Sequence, residues 1–297
     1  MLYLGELAAL VTAFLWSGTS IAFTEASTRV GSVAVNITRL MLALVYLSAT
    51  ILLLKLDLEI TFSQITFLGL SGLVGLVFGD GFLFKSFQHI GARLSMLIMS
   101  LAPPISAILA YFFLGELISF WEILGILVTI LGIAIVVLQK QENPYSKYKI
   151  SRIGILYAFL GAVGQGIGLI LAKFAFNQGE INGFVATFYR MIPAIIVLFP
   201  LTILIQKSVN PFKVYIKNSK AFLYTIVGSI IGPYLGITFS LIAIANTYVG
   251  IAATIMATVP VIMLPLVKYY YREKLSLLSI LGAFIAVGGI GILFLAK

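Results

Sequence analysis

Seven side chains able to hold or orient a solute stand inside stretches that are otherwise apolar: Trp16, Arg39, Asp80, Gln165, Tyr189, Arg190 and Tyr234. Arg39 and Arg190 each sit about seven or eight residues into an apolar run, roughly 10 Å deep at 1.5 Å per residue. A charge near a bilayer centre costs about 2.5–3.5 kcal/mol on insertion scales, so each needs a reason to be there. Two readings stand for the arginines. They cap carbonyls of a neighbouring helix or snorkel, or their guanidinium groups face a cavity and hold a carboxylate or phosphate. Asp80 lies deep in another run and also has two readings. It binds a substrate amine or carries a proton, or it forms a buried pair with Arg39 or Lys85. Gln165 is costly in lipid without a partner, and Trp16, Tyr189 and Tyr234 lie away from the run ends where interfacial aromatics belong. Together they suit the wall of a pocket for an amphipathic organic solute.

The rest of the chain narrows the setting for that chemistry. It has 297 residues, 61% hydrophobic and only 10% charged, with a net charge of +9. An average soluble domain is about 25% charged, and the mean hydropathy here is +1.13. A water-soluble enzyme, a disordered chain and a fibrous one are all excluded by that balance. With no cysteine, one histidine and two aspartates, Asp57 and Asp80, the catalytic inventory is thin. No GxxxxGK[ST], HExxH, paired-aspartate or Cys/His pattern occurs, so neither ATP-driven pumping nor metal catalysis by this chain is expected. The basic residues are scattered through short connections, which fits topogenic charge and not nucleic-acid binding. No cleavable leader is read at the start, because the first apolar run lacks a basic segment before it and is long enough to span.

Ten apolar runs are expected to be membrane-spanning helices, at about 3–24, 33–54, 62–84, 92–113, 119–139, 152–174, 183–206, 219–243, 249–270 and 276–296. The halves repeat. A shift of 157 positions puts Gly75 on Gly232, Gly79 on Gly236, Ile98-Met99 on Ile255-Met256 and Pro103 on Pro260. The same shift puts Glu116 on Glu273, Ser119 on Ser276 and Gly132 on Gly289, and a shift of 151 puts Arg39 on Arg190. Asp80 falls on Ile237, which breaks the symmetry. The expected organisation is a first five-helix repeat at 1–140, a linker at 141–151 and a second repeat at 152–297. Five spans is an odd number, so the second repeat must enter the membrane from the opposite side. Inverted repeats of this kind point to secondary transport, with the site at mid-bilayer between the halves.

Fourteen of the 19 Lys and Arg residues fall in alternate connections, against Lys55, Lys173 and Lys297 on the other side. The positive-inside rule then puts both termini outside the cytoplasm of a multi-pass cell-membrane protein. Glycines spaced by four, at Gly75 and Gly79, Gly164 and Gly168, and Gly228, Gly232 and Gly236, are expected to let helices approach closely. Pro233, Pro103-Pro104, Pro260 and Pro265 are expected to break spans and free carbonyls toward a cavity. Glu25 and Lys173 are expected at the interface, and Glu116 and Glu273 at helix N-termini.

Trp16-Ser17-Gly18, Thr38-Arg39-Leu40, Tyr189-Arg190-Met191, Pro103 and Pro260 accompany two corner segments, Gly115-Glu116-Leu117-Ile118-Ser119 and Arg272-Glu273-Lys274-Leu275-Ser276. With the five-plus-five repeat, the whole chain resembles a drug/metabolite transporter of the EamA type. The resemblance implies ten helices around a central cavity and export or exchange of small metabolites, often amino acids or related compounds. Spans 1–4 and 6–9 are then expected to surround the cavity, with spans 5 and 10 bracing each half. No cofactor is called for. The partners are a small-molecule substrate, the bilayer, and a coupling proton or counter-solute, between which nothing in the sequence selects. The competing readings are a lipid-linked flippase or channel on the same scaffold, and, far behind, a membrane enzyme.

Overall fold

A backbone in hydrocarbon must satisfy its own N–H and C=O groups, which leaves long apolar runs the helix. The computed structural model describes residues 3–114, 119–138, 151–206, 210–246, 252, 255–272 and 275–295, and its regular elements are all helical. In chain order these are α1 (Leu4–Val30), α2 (Ser32–Leu54), α3 (Phe62–Gly72), a π-turn (Leu73–Gly79), α4 (Asp80–Met99), α5 (Ala102–Leu114) and α6 (Phe120–Val137). The second half has α7 (Arg152–Phe176), α8 (Gly183–Gln206), a short 3₁₀ helix (Pro211–Tyr215), α9 (Ser219–Ser229), a second π-turn (Ile230–Tyr234), α10 (Leu235–Asn246), α11 (Val259–Tyr270) and α12 (Leu277–Leu295). Among the described residues, seven helical stretches, with Phe62–Met99 and Ser219–Asn246 each counted as one, are long and apolar enough to cross a membrane; three shorter apolar helices accompany them. Large apolar side chains such as Leu53, Phe112, Phe120 and Leu204 remain exposed on the outer faces, as a lipid solvent allows.

Two features refine the expected spans. The third span runs past position 84 to Ile90, and the chain turns at Gly91, whose φ of 72° and ψ of 173° interrupt the helix. Ser86 and Ser95 join hydroxyls at 2.8 Å across that corner. Both repeats then break their fourth span at the same place, at Ser100–Leu101 before Pro103 and at Ala257–Thr258 before Pro260. The corner glutamates Glu116 and Glu273 lie outside the described residues, as does the expected linker except for Ser151. The corner serines are described and cap the fifth spans: Ser119 accepts from the Glu122 N–H at 3.2 Å, and Ser276 from the Ser279 N–H at 3.1 Å.

The relation between the halves is legible in one helix pair. A Cβ on Gly132 would meet the Ala286 nitrogen at 2.3 Å and the Gly282 carbonyl at 2.7 Å. On Gly289 it would meet the Thr129 nitrogen at 2.4 Å and the Gly125 carbonyl at 2.8 Å. The repeat shift that carries Gly132 to Gly289 also carries Gly125 to Gly282 and Thr129 to Ala286, so the contacts are reciprocal. Contact order runs backwards on one helix as it runs forwards on the other, so α6 and α12 are antiparallel. Reciprocal antiparallel contact of this kind is a two-fold axis perpendicular to the helices, hence in the plane of the membrane. The expectation that spans 5 and 10 each brace their own half is corrected here. They pack chiefly on each other, because facing glycines let the backbones come into contact.

The other helices exchange partners by the same rule. The third span packs on α7, and its counterpart, the eighth, packs on α1. A Cβ on Gly164 would stand 2.7 Å from the Gly79 Cα, whereas one on Gly236 would stand 2.8 Å from Trp16 Nε1. The first contact is glycine on glycine, and the second is glycine on an indole.

A side chain at Gly132 or Gly289 must push α6 from α12. Gly132→Leu and Gly289→Leu are each expected to destabilise the protein by about 1–3 kcal/mol through overpacking, read as a lower melting temperature in detergent. Gly288→Ala is the control: its Cβ meets nothing within 4 Å, and its melting temperature is expected to hold or rise.

Candidate functional site

The site begins where α8 crosses α3. A Cβ on Gly72 would lie 1.9 Å from the carbonyl oxygen of Arg190, so the two backbones touch. That contact sets the Arg190 side chain beside the first π-turn, with Nη2 3.3 Å from where a Gly75 Cβ would be. The two π-turns occupy equivalent positions, since the repeat shift carries Leu73 to Ile230. In the second, Pro233 removes a backbone donor and gives a local cause. No proline stands in the first, which nothing in the sequence announced.

A π-turn hydrogen-bonds five residues back instead of four and leaves carbonyls free for side chains. Asn36 Nδ2 donates to the Leu76 carbonyl at 3.1 Å, and Gln165 Nε2 donates to the Gly75 carbonyl at 3.2 Å. Gln165 Nε2 also donates to Asp80 Oδ1 at 2.6 Å, which uses both hydrogens of its amide. The other carboxylate oxygen of Asp80 accepts from Arg39 Nη2 at 2.5 Å. Arg39 Nε donates to Asn36 Oδ1 at 3.0 Å, and its guanidinium stacks over Phe84 at 4.7 Å and Phe23 at 5.6 Å. Asn36, Arg39 and Asp80 are all at least nine-tenths buried. Four side chains from three spans thus close a circuit with two main-chain carbonyls of the π-turn.

A cavity of about 180 Å³ lies against this circuit. Spans 1–4 and 6–9 each supply wall residues, and none of the described ones comes from α6 or α12. The wall repeats across the two-fold: Met99 with Met256, Pro103 with Pro260, Leu83 with Ser240, and Asp80 with Ile237. Trp16, Phe23 and Phe87 supply aromatic surface, and Arg39, Asp80, Gln165 and Arg190 the polar part.

Of the seven side chains singled out from the sequence, five come together here: Trp16, Arg39, Asp80, Gln165 and Arg190. Tyr189 and Tyr234 are not among the described wall residues of this cavity. Tyr189 donates to the Leu58 carbonyl at 3.0 Å, and Tyr234 shares a 2.7 Å hydrogen bond with Thr50 and packs on Tyr46 and Phe184. Each directly follows or precedes a wall residue, and neighbours on a helix point about 100° apart, so depth alone did not select the cavity face. Asp80 pairs with Arg39 and not with Lys85, which stands over the Phe82 and Tyr157 rings. Glu25, expected at the interface, is buried and pairs with Arg29 at 2.9 Å. Asn36 was missed. Its signal was an amide three residues before Arg39 in an apolar run, one helical turn away and able to reach it.

Arg190 differs from its repeat mate. It is 5% exposed, and its Nε has no hydrogen-bond partner. Among the described residues it forms no ion pair; the carboxylate whose field reaches it is Asp80, already engaged twice.

Comparison with known proteins adds two findings. The model of the EamA-like transporter family matches residues 3–138 and again 152–295. A solved crystal structure 17% identical in sequence superposes with a TM-score of 0.70, covering 98% of this chain and 96% of that one, and so shares its fold. No curated protein matches.

Removing one member of the Arg39–Asp80 pair strands the other in a buried setting. Asp80→Asn is expected to cost about 3–5 kcal/mol of stability. Arg39→Gln combined with Asp80→Asn is expected to recover much of it. A double-mutant cycle of melting temperatures in detergent checks this, and additive losses would show that the two do not act as a pair.

Proposed function

Because the chain belongs to the EamA-like transporter family, within the drug/metabolite transporter superfamily, and is a multi-pass membrane transporter, we propose that it is a secondary active carrier. It moves small organic metabolites, amino acids or related compounds, by export or exchange. The observation that carries this reading is the cavity between two inverted halves, walled by equivalent residues of each. Two-fold-related halves have two related ways of packing against each other. Contacts that close one end in one arrangement close the other end in the second, and the cavity opens to alternate sides. The facing backbones of α6 and α12 lie away from the cavity and form the seam about which the halves turn.

The contacts at the arginine- and lysine-rich end support a closed gate there. Gln88 of the third span donates to the Ser27 carbonyl of the first at 2.6 Å. Arg29 stands over the Tyr224 ring at 5.8 Å, and Tyr224 joins Tyr270 at 2.7 Å. Spans 3, 1, 8 and 9 are thereby linked in a chain across that end. Both carboxylate oxygens of Asp80 are taken by the circuit, so among the described wall residues the one carboxylate serves to hold spans together. Of the 19 Lys and Arg residues, fourteen fall on one side, which supports a cell-membrane orientation with both termini outside the cytoplasm.

The carrier reading predicts saturable counterflow in proteoliposomes. Met256→Trp, which fills the cavity from one wall, is expected to lower it at least tenfold per folded protein, the folded amount being read by size-exclusion in detergent. Flux that neither saturates nor exchanges would mark a channel and overturn the reading. A fluorescent protein that matures only in the cytoplasm, fused after Lys297, is expected to stay dark, and alkaline phosphatase fused there to be active. The reverse pattern would invert the orientation.

A further inference from the structure

We infer that Arg190 is the substrate anchor and that the group it holds is an anion, a carboxylate or phosphate. This rests on the carrier reading for its purpose but on separate geometry for its content. Repeat symmetry delivers two arginines to the cavity wall, Arg39 and Arg190. It delivers one carboxylate, because the position equivalent to Asp80 is Ile237, which itself lines the cavity. Arg39 takes that carboxylate, and Asn36 takes its Nε. Arg190 is left buried with an unpartnered Nε and no ion pair among the described residues.

The count decides the sign of the solute. Among the described wall residues, two guanidinium groups against one carboxylate leave one surplus positive charge next to the cavity. A cation of this kind is retained when something transient neutralises it. A guanidinium offers parallel N–H donors that match a carboxylate or a phosphate edge. An amine that carries no anionic group is disfavoured twice. It would face Arg190, and the one acid that could receive it has both oxygens committed. The cavity of about 180 Å³ suits a small organic solute that presents an anionic group to Arg190. Gly75 contributes by what it lacks: a Cβ there would stand 3.3 Å from Arg190 Nη2 and 3.6 Å from Gln165 Oε1, between the anchor and the circuit.

The test uses thermal melts of the purified full-length chain in detergent. The probes are choline benzoate, choline propionate, inorganic phosphate and a short-chain phosphatidylglycerol, each compared with choline chloride at equal ionic strength. Benzamide and benzylamine are the neutral and cationic matches. At least one anion is expected to raise the melting temperature of the wild type, with benzamide and benzylamine inert. Arg190→Gln is expected to lose the shift, with affinity lowered at least tenfold, and Arg190→Lys to keep part of it. A shift from propionate or benzoate identifies a carboxylate, from inorganic phosphate a free phosphate, and from phosphatidylglycerol alone a lipid headgroup. Without ligand, Arg190→Gln is expected to melt at or above the wild type, because it removes an uncompensated charge; a purely structural arginine would give a loss.

The inference is overturned if no anion in the panel shifts the wild type, or if benzylamine or benzamide does so as well as benzoate. It is also overturned if Arg190→Gln keeps the anion shift. Anion binding without counterflow would remove the carrier reading and leave the anchor standing. Counterflow of an uncharged or cationic solute unchanged by Arg190→Gln would keep the carrier and remove the anchor.

Discussion

Hydrocarbon offers no hydrogen bonds, and a π-turn in mid-membrane leaves carbonyls that something in the protein must meet. At Leu73–Gly79 the donors are the amides of Asn36 and Gln165. Those two amides are also the hands that hold Arg39 and Asp80. The backbone irregularity, the ion pair and the cavity wall are therefore one construction. A buried ion pair by itself is weak evidence of stability, since desolvation cancels much of the attraction. Here both carboxylate oxygens accept, the guanidinium makes two hydrogen bonds, and the aromatic faces of Phe84 and Phe23 cover the cation. The pair thus serves to join three spans in one register.

Duplication supplies the frame around that construction. Reciprocal contacts of Gly132 with Ala286 and of Gly289 with Thr129 fix the two-fold axis. The same axis sets Met99 opposite Met256 and Pro103 opposite Pro260 around the cavity. Function enters where the symmetry fails. The first half has its π-turn closed by polar side chains, and the second has its π-turn made by Pro233, with Ile237 where Asp80 would be. One arginine of the matched pair is neutralised and the other is not.

The same contrast separates the two seams beside the cavity. Gly79 meets Gly164 backbone to backbone, whereas Gly236 meets the Trp16 indole. The first seam is smooth and the second is keyed by a side chain, although the topology of the two halves is equal.

Much of this was legible in the residue order. Apolar run lengths determine helices because lipid permits no other open segment, and the recurrence of Gly, Pro and Glu at a shift of 157, with Arg at 151, determines the inverted duplication. The corner serines Ser119 and Ser276 mark helix starts for a local reason, an oxygen placed to accept an N–H three residues on. Depth within a run also pointed to Arg39, Asp80, Gln165, Arg190 and Trp16. What depth could not supply was direction around the helix axis. Tyr189 reaches the Leu58 carbonyl in the loop after α2, and Tyr234 the Thr50 hydroxyl on α2, because rotation is decided by which backbones touch, as Gly72 does with Arg190. The π-turn at Leu73–Gly79 and the choice of Arg39 over Lys85 as partner of Asp80 belong to the same class. They depend on groups brought together from distant positions, and only the packed helices decide which donors stand within reach.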